Sequence, residues 1–380
     1  MACSYCARPA SSDLPYLFVW PGPGHVLGKL RQAISSGRLA ADPLPGGRGL
    51  RLSRPAAGWT QVADRLQELL TPLELQETRV LTGERATPDA DGHERVMQAD
   101  RFCGEIRGHW LSELLDQERL TTWFQPIVDR DRLPFGHEAL ARGLSHDGGV
   151  IAPQAMLEAA ATPQLLARFD RLARLTAAGA ADRAGLPGHL FVNFVPSTIY
   201  DPEQCLRSTV AAMTRLDLDP EAVVFEVVES YRIDDMEHLK RIFDRYRAHG
   251  FGVALDDFGA GYATLEALVH LRPDFVKIDK EMARRCRDDG FCRRLVGEIV
   301  RLAHEEGIKV IAEGIEDRAG FDLLREVGAD LFQGYLFGRP APLPAARPAC
   351  ATAARARRAI AGDCLSAGSR GAALTPMSGA

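Results

Sequence analysis

Between residues 106 and 342 short apolar runs alternate with amphipathic stretches, the spacing of repeated strand and helix units. The pattern predicts strands near 124–128, 136–140, 189–194, 222–228, 252–256, 275–279, 309–314 and 331–337. Helices are expected in the gaps, for example over 202–215, 235–249 and 291–306. Gly250, Gly307 and Gly328 follow helical runs, where a terminating residue takes a positive φ. Eight strands with intervening helices point to a closed (β/α)8 barrel. An open doubly wound sheet fits less well, because no GxGxxG loop follows an early strand.

The flanks differ in texture. Residues 1–105 mix helical periodicity, in GKLRQAI and WTQVADRLQELL, with the strand-like LELQETRVL and Pro/Gly-rich loops. They predict a small α/β or α+β domain ahead of the barrel. Residues 343–380 are rich in Ala, Arg, Ser and Gly, a composition that cannot bury enough surface to order itself, so a solvated tail is expected.

Composition narrows the function classes. The chain has 380 residues and a formal net charge of -5, which argues against a DNA or RNA polymer as partner. No apolar run approaches the ~18–20 residues of a membrane span, and the N-terminus lacks the pattern of a secretory signal. Eight scattered cysteines without framework spacing suit a reducing cytoplasm. Cys3-x-x-Cys6 is half a zinc site, with no second half at usable spacing.

Glu138, Asn193, Glu226, Asp256, Asp257, Lys277 and Glu313 each stand at or just past the end of a strand-like run. Polar groups at the ends of successive parallel strands are where such a barrel builds its active site. Five carboxylates gathered there would repel one another unless cations sat among them. Hard oxygen donors suit Mg²⁺ or Mn²⁺. Adjacent strand residues point to opposite faces, so Asp256 and Asp257 share a site only where the strand passes into its loop. Lys277 alternates with Val276 and Ile278 and is a candidate to orient or deprotonate water. Beside two cations its pKa should fall. Pairing with Asp279 or another carboxylate is the structural alternative. His137 should point away from Glu138.

The order QPIVD, GHEALAR, VNF, FEVVES, DDFGAGYATL, VKID, AEGIE, QGYLFGRP resembles the EAL domain of bacterial cyclic di-GMP phosphodiesterases. The resemblance covers about residues 106–342 and implies a modified (β/α)8 barrel. It also implies hydrolysis of one phosphodiester of cyclic di-GMP to linear pGpG, with two divalent cations. By the same resemblance Glu138, Asn193, Glu226, Asp256, Asp257 and Glu313 are metal ligands, with Asp256 shared. Arg142 holds a substrate phosphate, and Gln125 and Gln333 lie along the substrate. Glu316 is a supporting residue, and Glu229 anchors the loop Phe258–Thr264. Asn193 is followed at the third position by Val195, where many members carry a serine. A homodimer through the barrel and a signal or protein partner for residues 1–105 are further expectations. A non-catalytic cyclic di-GMP receptor on the same fold is the alternative, and such receptors normally lack ligands that this sequence retains. A hydrolase of another phosphodiester is a third reading.

Overall fold

A computed structural model describes residues 14–88, 96–216, 218–228, 235–259 and 265–342. Cys3, Cys6, Glu229, the loop segment 260–264 and the tail 343–380 lie outside the described residues.

The N-terminal part is a five-stranded antiparallel sheet. Its strands are β1 (Tyr16–Trp20), β2 (Asp42–Pro43), β3 (Leu50–Ser53), β4 (Arg79–Gly83) and β5 (Met97–Gln98), in the order β2-β3-β1-β4-β5. Alternation along β1 sends Leu17 and Val19 into a core with Val26, Leu30, Leu66 and Phe102 from the helices Gly24–Ser35, Thr60–Leu69 and Ala99–Arg107. The stretch LELQETRVL divides. Thr71 and Glu74 form a reciprocal capping box that starts a helix over Pro72–Glu77, and only Arg79 onward is strand.

The larger part is a closed sheet of eight strands with a short ninth at its edge. The strands are β6 (Leu120–Asp129), β7 (Pro134–Leu144), the short β8 (Val150–Ile151), β9 (His189–Phe194), β10 (Val223–Val228), β11 (Gly252–Phe258), β12 (Phe275–Ile278), β13 (Lys309–Ala312) and β14 (Leu331–Gln333). From β7 through β9 to β14 neighbouring barrel strands run parallel. β6 runs antiparallel to both β7 and β14 and closes the ring.

That reversed strand corrects the expectation of a helix in every gap. Only residues 130–133 separate β6 from β7, too few for a crossover, so the two pair as a hairpin. Asp129 holds the turn by accepting from the backbone N–H of Asp131 and Leu133. The glycine stops behave as expected, with φ of 82°, 76° and 116° at Gly250, Gly307 and Gly328.

Two apolar layers support the barrel. Outward-facing Val192, Phe194, Phe225, Val227 and Val253 pack against the surrounding helices. Inside, Ile127, Phe191, Val224, Ala254, Phe275, Ile311 and Leu331 form a closed floor contributed by seven strands. Each large apolar side chain so buried is worth roughly 1.5–3 kcal/mol over exposure. The floor is apolar, and the next inward positions above it are polar.

Candidate active site

A two-residue step along each strand lifts the side chain from the floor to the next inward layer. From Phe191 the step reaches Asn193, from Val224 Glu226, from Ala254 Asp256, from Phe275 Lys277, from Ile311 Glu313 and from Leu331 Gln333. Antiparallel β6 gives Gln125 by the reverse step from Ile127, and Gln125 pairs across to Glu138 on β7. The fold therefore gathers the strand-end residues of six parallel strands and the hairpin into one ring at the barrel mouth.

Lys277 stands at the centre of the ring and is 1% exposed. Its Nζ lies 2.7 Å from Glu313 Oε1, 3.0 Å from Asp256 Oδ1, 3.3 Å from Glu226 Oε2 and 3.6 Å from Glu138 Oε2. Asp279 is not its partner; that carboxylate caps the next helix by accepting from Glu281 N. Asn193 Nδ2 donates to Glu138 Oε1 at 3.0 Å and to Glu226 Oε1 at 2.9 Å. Gln333 Nε2 donates to Glu138 Oε2 at 2.6 Å and Gln125 Oε1 at 3.2 Å.

The carboxylates fall into two groups that share one member. Oxygen atoms of Glu138, Glu226 and Asp256 lie within 4.8 Å of one another, and so do those of Asp256, Asp257 and Glu313. The second group exists because β11 bulges. Leu255 pairs with Val276 but Phe258 with Ile278, which places an extra residue on the β11 side. Asp257 takes a φ of 54° at that point, so both aspartates reach the mouth although they are adjacent in sequence.

Burial and mutual repulsion set the charges of this layer. Burial raises Glu226 well above the ordinary carboxylate range, and Glu138, Asp256 and Glu313 add to it against the pull of Lys277. Burial likewise raises Asp256, and it pushes Asp257 up to about 6 and Glu313 up to about 8. For Glu138 the same burial is outweighed by Lys277 and by the Gln333 and Asn193 donors, which hold it below its usual value. The lowered pKa expected of Lys277 applies beside two bound cations. Burial does act in that direction, but four surrounding carboxylates reverse it and hold the ammonium well above the ordinary lysine value. With those four carboxylates as its surroundings Lys277 is a charged donor.

The donor set suits hard divalent cations. Its ligand atoms are oxygens, they form two groups, and Glu226 Oε2 is buried without a hydrogen-bond partner. Asn193 presents Nδ2 to these carboxylates, so ligation through Oδ1 requires its amide to flip.

The rim extends the site outward. A cavity of about 380 Å³ is lined by Gln125, Glu138, Asp257, Lys280, Glu316 and Tyr335, among others. Arg142, two steps above Glu138 on β7, lies over the Trp123 ring with its guanidinium 5.3 Å from the centroid. Its Nη1 donates to Ala141 O at 2.8 Å. His137 is flanked by Gly136 and Glu138 on β7 and does not line this cavity. Sequence reading missed Trp123, Lys280 and Tyr335. Trp123 was legible as the residue two before Gln125, and Lys280 and Tyr335 directly follow the VKID and QG motifs.

Comparison with known proteins gives one family and several relatives. The EAL domain model matches residues 109–340. Across 258 residues, 67% of this chain and 35% of the other, the sequence is 32% identical to the probable cyclic di-GMP phosphodiesterase PdeA of Escherichia coli. It is 31% identical over 236 residues to the cyclic di-GMP phosphodiesterase RocR of Pseudomonas aeruginosa, covering 60% of this chain and 59% of the other. The chain thus spans less than two thirds of the length of these curated relatives. Among solved structures, a standalone versatile EAL protein from Vibrio cholerae in its c-di-GMP-bound form superposes with a TM-score of 0.55 at 35% identity. That match covers 60% of this chain and 96% of the other.

Proposed function

Because this chain belongs to the EAL domain family through residues 109–340, we propose that it hydrolyses cyclic di-GMP to linear pGpG with two divalent cations, Mg²⁺ or Mn²⁺. The observation that carries this reading is the pair of acidic groups sharing Asp256. Glu138, Glu226 and Asp256, joined by Asn193, would hold one cation; Asp256, Asp257 and Glu313 would hold the other. Bound there, the pair supplies Lewis acidity to the phosphoryl oxygens and an activated water. The names of the Escherichia coli and Pseudomonas aeruginosa relatives, and the ligand of the Vibrio cholerae structure, support the choice of substrate.

The chain's own groups have separable tasks in this reading. Arg142 offers a fixed fork of donors to the phosphate that is not cleaved, with its plane held over Trp123. Gln333 fixes Glu138, Gln125 accepts from Gln333, and the two line the path of the substrate. Lys277, as an ammonium, draws four carboxylates inward and donates to the attacking water. Hydrolysis adds the water oxygen to phosphorus and breaks one bond to a 3′ oxygen, which leaves as a hydroxyl carrying a proton.

The test is release of pGpG from cyclic di-GMP by the purified chain with Mg²⁺ or Mn²⁺, followed by chromatography. Turnover that disappears with EDTA and returns with metal is expected. Tight binding of cyclic di-GMP with no product on long incubation would replace the enzyme reading with the receptor reading. Among the described residues, no helix is long and apolar enough to cross a membrane.

A further inference from the structure

Asn193 sits at a weak point of the barrel wall. β7 pairs with β9 only from Gly136–His189 to Ala139–Val192, and beyond that register the two strands part. Asn193 pairs with Glu226 on one side and has no ladder partner on the other. A cavity of about 260 Å³ opens behind the gap, lined by Ala139, Ala141, Leu157, Phe169, Ala173 and Val192, among others. The end of β9 is therefore held through Phe194 and the β10 ladder on one side, and lacks a strand neighbour on the side of β7.

A buried polar anchor occupies the far side of that cavity. Asp170, on the helix Pro163–Ala184, is 3% exposed, and its Oδ1 accepts from Val195 N at 2.9 Å. Its Oδ2 accepts from Thr198 Oγ1 at 2.7 Å and from Arg174 Nη1. Arg174 is itself 2% exposed, and its Nε donates to Thr209 Oγ1 at 3.3 Å. A single carboxylate thus grips both ends of the turn that follows Asn193. The Val195 side chain offers no donor, so the grip is on its backbone.

We propose that Asp170 is a positioning residue of the active site. By clamping the turn Val195–Thr198 it fixes the end of β9, and with it the Asn193 carboxamide that bridges Glu138 and Glu226. The proposal deepens the metal-site reading and rests on it. Asp170 touches neither substrate nor cation, and its effect passes through two backbone residues.

The experiment titrates Mn²⁺ into the full chain by calorimetry, beside melting curves recorded in EDTA. Asp170→Ala should weaken Mn²⁺ binding at least about 10-fold, the size found for residues that orient a metal ligand. Asp170→Asn keeps an oxygen for Val195 N–H and should recover most of that affinity. Thr209→Val, beyond Arg174, should lower the melting temperature but leave Mn²⁺ affinity unchanged. If Asp170→Ala does not fold, Thr198→Val removes one arm of the same clamp and should weaken Mn²⁺ binding several-fold. Mn²⁺ affinity within twofold of the unaltered chain in Asp170→Ala or, failing that variant, Thr198→Val would overturn the proposal. So would Asp170→Asn binding no better than Asp170→Ala. Absence of Mn²⁺ binding by the unaltered chain would instead overturn the metal-site reading, a distinct result.

Discussion

Glu74 in the N-terminal sheet domain and Glu226 in the barrel are both closed off from solvent, at 7% and 0% exposure. Their surroundings are opposite. Glu74 accepts from Lys29 with both oxygens, at 2.7 and 2.8 Å, from the backbone of Thr71 at 2.8 Å, and meets His25 at 2.8 Å. Lys29, first among these donors, brings its pKa down to about 2. Glu226 has one oxygen without a hydrogen bond and shares a single lysine with three other carboxylates. A carboxylate placed to hold a fold is given more donors than it needs. Glu226 is left short of them, and the proposed cation would make good that shortfall.

The largest effect that would break this contrast is on turnover. Asp256→Ala removes the residue common to both acidic groups, and cyclic di-GMP hydrolysis should fall by about 10³-fold or more, equivalent to roughly 4 kcal/mol. The far-ultraviolet circular dichroism should be unchanged, because Asp256 packs no core. Retained turnover at saturating Mg²⁺ would remove the basis for calling this layer catalytic.

A smaller but sharper effect is one of sign. In EDTA near pH 7.5, Glu226→Gln should raise the melting temperature, because it relieves a carboxyl that its neighbours disfavour as an anion. Glu74→Gln should lower it, because it discards donors arranged for a carboxylate. Calorimetric melts of the two variants check this, and a shift in the same direction for both would collapse the distinction.

The smallest effect is a pH slope. Asp257 and Glu313 titrate near 6 and 8 in the folded chain, above ordinary carboxyls. Their contribution to stability is complete below the unfolded carboxyl values and is lost as pH rises through 6 and then 8. The EDTA-treated protein should therefore melt progressively lower between pH 5 and pH 9, with saturating Mg²⁺ reversing the trend. Glu74 behaves inversely. Its contribution is present above the ordinary glutamate value and is lost as pH falls toward 2. A flat melting profile from pH 5 to pH 9 in EDTA would contradict the raised pair.

Much of the barrel was legible because its signal is periodic. Runs such as LFVNF and VVFE carry an apolar floor residue and a polar residue two places on, so strand, face and site are written together. The reversed β6 was not legible as such. Its apolar run reads the same in either direction, and only the shortness of residues 130–133 betrays the hairpin. The bulge that turns Asp257 into the mouth depends on a positive φ at a residue other than glycine, which the sequence marks only by placing two aspartates together. Thr71-Pro72-x-Glu74 was a readable helix start overlooked beside a strand-like apolar run. Asp170 was beyond reach, since its partner is a backbone amide 25 positions away on another element. Lys277 was legible as an inward residue from its alternation with Val276 and Ile278, while the number of carboxylates that close around it was not.

The reversal of β6 also decides where this barrel can be wired into a longer chain. Leu120, where β6 begins, pairs with Gly143 near the outer end of β7, so the incoming chain arrives at the working rim and not beneath the floor. Had that strand run parallel, ten residues at ~3.3 Å each would have put the entrance about 30 Å away at the opposite end. The outgoing chain returns to the same level, since Ala341 bonds both ways with Phe124, beside Gln125. Inlet and outlet thus share the face that carries the acidic ring. A tug on either lead is delivered within a residue or two of the groups that would meet the substrate, without crossing the hydrophobic floor.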